Sequence, residues 1–279
     1  MVAVLAAGCG THHFASSRVP VDQRPQSRPA APARTMAVTL EAMDPALSAA
    51  LLKVAVLPSA DAHRDLAREY RRLGVMDMAH EHFTRAVTLD RTDAVSYEAL
   101  ARIWRDWGTP QLGLADAYRA VYFAPDSASA ANTLGTVLHR LHRVDAAMDW
   151  YARAISLDPR AWYALNNLCY AQVVTGAVLA RETCGRAVAA SPDANVAKNN
   201  LALAHTAAGD LNSAKDWFRR AADPAIASYN YGIAMMATRA YEQAQAAFHE
   251  AVQSKPSFAL AVTRERQAAM AARSEGDRP

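Results

Sequence analysis

Nine histidines, three cysteines and a set of asparagines hold most of the ligating or reactive chemistry this chain offers. His80 and His82 are two apart, so on a helix they point to different faces. His139 and His142 share a face, but no third ligand lies near them, and a metal site is not expected. There is no Cys-x-x-Cys pair, no phosphate loop and no Gly-x-Ser-x-Gly elbow, and the acid pairs fall on solvated faces. Trp104 and Trp107, three apart, read as core packing rather than a ligand-stacking platform. The residues therefore predict a protein that is not an enzyme and carries no cofactor.

What must position such side chains follows from composition. Hydrophobic residues make up 52% and charged residues 20% of 279, enough for a large core. The 8% aromatic content leaves packing to small residues, chiefly alanine, which favours close-packed helices over sheets. The net charge of +3 is already supplied by Arg18, Arg24, Arg28 and Arg34 against Asp22, so no basic domain remains for nucleic acid, and no nucleic-acid partner is expected. No apolar run approaches the roughly 18 to 20 residues that span a bilayer.

The first nine residues, MVAVLAAGC, resemble the end of a bacterial lipoprotein signal, in which an aliphatic residue and small residues precede an acylated cysteine. Leu5, Ala6, Ala7, Gly8 and Cys9 carry the resemblance, with Ala6 where leucine is commoner. No Lys or Arg precedes Arg18, so the basic n-region is missing; a start assigned too far downstream would explain it. The resemblance implies lipidation at Cys9, a membrane partner through that anchor, and an envelope location on the periplasmic face. The alternative is an apolar terminus of a cytoplasmic protein. Residues 10–40, with Pro20, Pro25, Pro29 and Pro32 among Arg, Ser and Ala, read as a disordered tether.

From Ala60 onward the chain repeats. Ala67, Ala101, Gly135, Cys169, Ala202 and Gly232 recur at spacings of 34, 34, 34, 33 and 30, each after a leucine or tyrosine. Ala86, Ala120, Ala154, Ala187, Ala221 and Ala251 keep a similar pace, and glycines recur at Gly74, Gly108, Gly176 and Gly209. Each unit shows two helical stretches around a tight turn, with small residues where the helices cross and Phe83, Tyr151, Phe218 and Phe248 filling space nearby. These units resemble tetratricopeptide repeats (TPRs), a 34-residue helix-turn-helix family. The resemblance covers six units: 60–93, 94–127, 128–161, 162–194, 195–224 and 225–258. His142 stands in place of a turn glycine and Arg91 in place of a closing proline, and the fifth unit is short near Ala222 to Pro224. It implies an all-α, right-handed superhelical α-solenoid of about six hairpins. Asp44 and Pro45 start an N-terminal capping helix placed at 41–58. A C-terminal cap over 259–274 should put Leu260 and Ala261 on one side and Arg264, Glu265 and Arg266 largely on the other.

In that family the first helix of each hairpin lines a concave groove at its second, fifth, sixth, ninth, twelfth and thirteenth places. Carried over, the first two units present Arg64, Arg68, Arg71, Arg72, Glu98, Arg102 and Arg105. The next three present Asn132, Asn166, Asn167, Tyr170, Asn199, Asn200 and Leu203, and the sixth Tyr229, Asn230 and Ile233. Amides that donate and accept suit the backbone of an extended peptide, and aligned arginines suit a carboxylate; the alternative is that both are ordinary family residues and solvated charges. Cys169 and Cys184 would face each other across one hairpin, where a disulfide is geometrically possible; two buried thiols are the alternative. The expected function is a scaffold that binds an extended peptide or partner segment, tethered to the bacterial envelope. A pilotin-like assembly factor for a secretin or pilus, and a soluble cytoplasmic adaptor or chaperone, are the other readings.

Overall fold

The computed structural model describes residues 44–276. Cys9, the tether over 10–40 and residues 41–43 of the expected cap lie outside the described residues. The described chain is all helical: α1 (Pro45–Val56), α2 (Ala60–Arg72), α3 (Met76–Leu89), α4 (Ala94–Asp106), α5 (Pro110–Phe123), α6 (Ala128–Arg140), α7 (Val144–Leu157), α8 (Trp162–Thr175), α9 (Ala180–Ala190), α10 (Asn195–Ala207), α11 (Leu211–Ala221), α12 (Pro224–Ala237), α13 (Tyr241–Ser254) and α14 (Ala259–Gly276). It forms two compact units, one up to Ala147 and one from Met148, the division falling inside α7.

Six helix pairs turn in the same way. After α2, the Gly74 N–H donates to the Arg71 carbonyl at 3.1 Å and the Val75 N–H to the Tyr70 carbonyl at 2.9 Å, which satisfies carbonyls that the helix end leaves open. The same bonds follow α4, α6, α8, α10 and α12. The turn requires a left-handed residue, and Gly74, Gly108, Gly176 and Gly209 supply it with φ between 72° and 79°. His142 (φ 60°) and Arg239 (φ 62°) adopt it at the cost of Cβ crowding, about 1–2 kcal/mol each. At the opposite ends Asp44, Ser59, Asp93, Ser127, Asp210 and Asp223 accept backbone N–H bonds as N-caps.

In the unit up to Ala147, Leu47 and Ala50 of α1 pack on Leu66 and Tyr70 of α2, with Phe83 and Ile103 completing the core. In the unit from Met148, Phe218, Met235, Phe248 and Ala268 form one cluster; Cys169, Cys184 and Leu201 form another. The Sγ atoms of Cys169 and Cys184 are 2.00 Å apart, a disulfide joining α8 to α9. Small residues mark the close approaches. A Cβ on Gly232 would lie 2.7 Å from the Phe248 ring, and one on Gly113 would lie 2.9 Å from the Ala101 carbonyl oxygen. Residues 191–194 link α9 to α10, whereas Ala222 and Asp223 alone link α11 to α12. The terminal helix corrects one expectation: Leu260 is 52% exposed. The buried stripe of α14 is Ala261 and Ala268, two helical turns apart, and Leu260 is rotated about 100° from it.

Candidate functional site

In the unit up to Ala147 the arginines foreseen for the groove lie on α2 and α4, and most are held by neighbouring acids. Arg64 pairs with Asp61 and, at 2.9 Å, with the buried carboxylate of Asp93, the cap of α4. Burial works against the Arg64 charge, yet these two acids raise its pKa overall. Arg68 pairs with Asp65, and Arg72 with Glu69 and Asp44. Arg102 pairs with Glu98 at 2.6 Å and donates to Ser129 and Thr133 of α6; Glu98 accepts from the same two hydroxyls. Arg105 pairs with Asp106 and donates to Thr136 at 2.8 Å. This network ties α4 to α6. Arg71 alone of these cations has no ion-pair partner among the described residues; its surroundings desolvate it, and Arg102 and Arg68 further disfavour its charge. An incoming carboxylate would relieve that repulsion.

In the unit from Met148 the asparagines form two pairs, each spanning one repeat. The Asn200 side-chain N–H donates to Asn166 Oδ1 at 2.9 Å, with both residues buried at 1% and 4% exposure. Beside it the half-buried Asn230 N–H donates to Asn199 Oδ1 at 3.4 Å. Asn200 Oδ1 is enclosed and accepts nothing, an acceptor in want of a donor. In the other unit Asn132 is buried too. The amides at 132, 166 and 200 thus lie within the helix packing, and Asn167, Asn199 and Asn230 are the more accessible ones. Tyr170 is buried, and Tyr229 packs at a tilt against Phe248 and Phe258 with ring centroids 5.5 and 5.0 Å away.

A depression of about 280 Å³ opens in the same unit between the C-terminal ends of α8, α10 and α12. Val173, Val174, Leu203, Thr206, Ala207 and Ala237 line it. Amides therefore occupy the first half of these helices and an apolar hollow the second. His80 and His82 point apart: His80 lies against Trp104 and Trp107, while His82 stacks between His63 and Tyr70. Among the described residues no group of three His, Cys, Asp or Glu is placed to hold a metal.

The sequence profile described as tetratricopeptide repeat matches residues 127–157 and 196–223, the third and fifth hairpins. These two hairpins are tetratricopeptide repeats. No curated protein shows significant similarity to this chain. Among solved structures it is similar to PilW, titled a widely conserved type IV pilus biogenesis factor: 22% identity, TM-score 0.62, covering 71% of this chain and 94% of that one. It is also similar to pilF of Pseudomonas aeruginosa, with 15% identity, TM-score 0.59, and 75% and 95% coverage. YrrB, titled a TPR protein with an unusual peptide-binding site, matches at 23% identity and TM-score 0.51, with 67% and 100% coverage. At these identities the likeness is one of fold.

Within this TPR frame, two features escaped the reading of the sequence. The acids that occupy the arginines stand three residues before them, as in Asp61/Arg64, Asp65/Arg68 and Glu69/Arg72, a spacing that places both on one helix face. The hollow is made from the twelfth and thirteenth places of these first helices, Val173, Val174, Thr206, Ala207 and Ala237, none of them among the residues expected to line the groove, although Leu203 beside them is.

Proposed function

We propose that this protein is a non-enzymatic scaffold whose first-helix face, in the unit from Met148, seats an extended segment of another protein. One observation carries the reading: the amide row Asn167, Asn199 and Asn230 runs beside a hollow lined by Val173, Val174 and Leu203 in the same unit. Amides with both donors and acceptors engage a peptide backbone whatever its sequence, and an apolar hollow takes one of its side chains. In the other unit, Arg71 is the arginine left for an acidic group on the first-helix face, because Arg64, Arg68, Arg72, Arg102 and Arg105 already have acids. Tethering through an acylated Cys9, with an envelope location, belongs to the same proposal and rests on the lipobox-like residues Leu5 to Cys9.

A second reading, a pilotin-like role in assembling a pilus or secretin, draws on the likeness of fold to PilW, titled a type IV pilus biogenesis factor. The test of the first is selection of a random dodecapeptide display library on the full chain, repeated on Asn199→Ala/Asn230→Ala and on Leu203→Glu. Peptides seated in the groove should lose binding to both variants. If no selected peptide is weakened by either variant, the groove is rejected.

A further inference from the structure

A larger cleft, of about 710 Å³, lies in the unit up to Ala147, on the side of the second helices. Its walls are α3 and α5, and its floor is the side of α4 that carries Tyr97, Leu100 and Trp104. The floor is largely aromatic: Tyr97 stacks on Phe123 at 6.0 Å, and Trp104 meets His80 edge-on at 4.7 Å. The rim carries Tyr122, 78% exposed, and beside Trp104 stands Trp107, 40% exposed. Folding alone does not call for so much aromatic surface in contact with water, and Tyr and Trp concentrate where proteins dock.

The charges around the cleft are unequal. Asp116 is the one acid in its lining, and its carboxylate is held by Arg119 at 3.0 Å. The Arg119 guanidinium also lies 5.5 Å over the Tyr97 ring, so it is fixed on the wall. Arg91, at the end of the cleft beyond α3, is exposed and has no ion-pair or hydrogen-bond partner among the described residues. The lining thus has two guanidiniums against one carboxylate, with the unmatched cation at one end. From His80 to Leu89 the α3 wall is about 14 Å long at 1.5 Å per residue, which matches roughly four residues of extended peptide at ~3.3 Å each.

We propose that this cleft is a second docking site, which takes an extended acidic segment of a partner protein, its apolar side chain against Tyr97, Trp104 and Phe123 and its carboxylate on Arg91. The site shares no residue with the groove proposed above and stands independently of it. An unpaired guanidinium beside desolvated aromatic surface gives a carboxylate a charge-assisted partner, while a basic segment would meet Arg91 and Arg119 and be repelled.

The test uses the full chain and two synthetic hexapeptides, one alternating Glu with Phe and Leu, the other with Gln in place of each Glu. Indole N–H resonances of Trp104 and Trp107 report the cleft, and those of Trp162 and Trp217 serve as controls. The acidic peptide should shift the first pair and leave the second in place. The Gln peptide should bind about tenfold more weakly, and Arg91→Glu should weaken the acidic peptide by about the same factor, both being loss of a charge-assisted pair. Tyr122→Ser, which changes an exposed rim residue, should also weaken it. Unmoved Trp104 and Trp107 signals, or indifference to Arg91→Glu, would overturn the proposal. So would loss of binding in Asn199→Ala/Asn230→Ala, which would put the peptide in the other groove.

Discussion

The side-chain N–H of Asn200 donates to Asn166 Oδ1 at 2.9 Å across one repeat, and both residues are buried. A buried amide pair holds register because a shifted helix would strand a donor. Asn166→Ala should therefore act on stability before it acts on binding, at a cost of about 1–3 kcal/mol for the orphaned Asn200 donor. Calorimetric melting of the variant checks this. Asn199→Ala, at a half-buried and longer pair, should lower the melting temperature less.

Two glycines should respond to alanine with opposite signs. In Gly232→Ala the new methyl would lie 2.7 Å from the Phe248 ring, inside a closed core, and overpacking of this kind costs about 1–3 kcal/mol. Gly185, in α9, has nothing within 4 Å of the same position. Gly185→Ala should stabilise by up to about 1 kcal/mol through helix propensity. Thermal melts of the two variants, read side by side, test whether close helix crossing is what demands the small residue.

The Nδ1 atoms of His63 and His82 are 3.0 Å apart, one ring donating and the other accepting. Burial lowers the pKa of both; His63 further lowers that of His82, Arg85 adds repulsion, and Glu81 opposes it. Below the ordinary value of 6.5 the unfolded chain takes up protons that the folded pair resists. The stability of this unit should therefore fall as pH drops below 6.5 and level off once the folded pair has titrated. His63→Gln/His82→Gln should flatten the slope between pH 7.5 and 5. An unchanged slope would assign the effect elsewhere.

The Cys169–Cys184 bridge closes a sequence separation of 15 between two buried residues. Cross-linking a loop of that size contributes about 3 kcal/mol, chiefly by restricting the unfolded chain. A reductant should lower the melting temperature of the unit from Met148, and Cys169→Ala/Cys184→Ala should reproduce that loss and abolish further sensitivity to reductant. Mass spectrometry with and without alkylation measures the bridge directly.

Much of the architecture was legible in advance because the repeat leaves a mark at each helix crossing. Ala67, Ala101, Cys169 and Ala202 are all fully buried, and the turn glycines all take the left-handed conformation. Arg239 occupies the same conformation without a side-chain type to announce it. The site was less legible, for reasons of geometry. Adjacent places on a helix differ by about 100°, so Asn199 and Asn200 were read as equivalent although one is half-buried and the other enclosed. The arginines were weighed without the acids three residues before them. Trp107 was read as core and is exposed. The cleft over Trp104 depends on how far α3 and α5 stand apart, a distance that no single helix encodes.

Among the described residues ion pairs are unevenly distributed. α2 is fastened by Asp61, Asp65 and Glu69 to its own arginines, by Lys53 and Asp44 to α1, and by Asp93 to the start of α4. The unit from Met148 has fewer such links, Lys215–Glu250 and Arg219–Asp216 among them, and leans on Phe218, Met235 and Phe248. Each exposed pair is weak, but a network of them responds together to ionic strength. Guanidinium chloride is a salt and urea is not. The two denaturants should therefore rank the two units differently, with guanidinium penalising the arginine-fastened end beyond what its buried surface alone predicts.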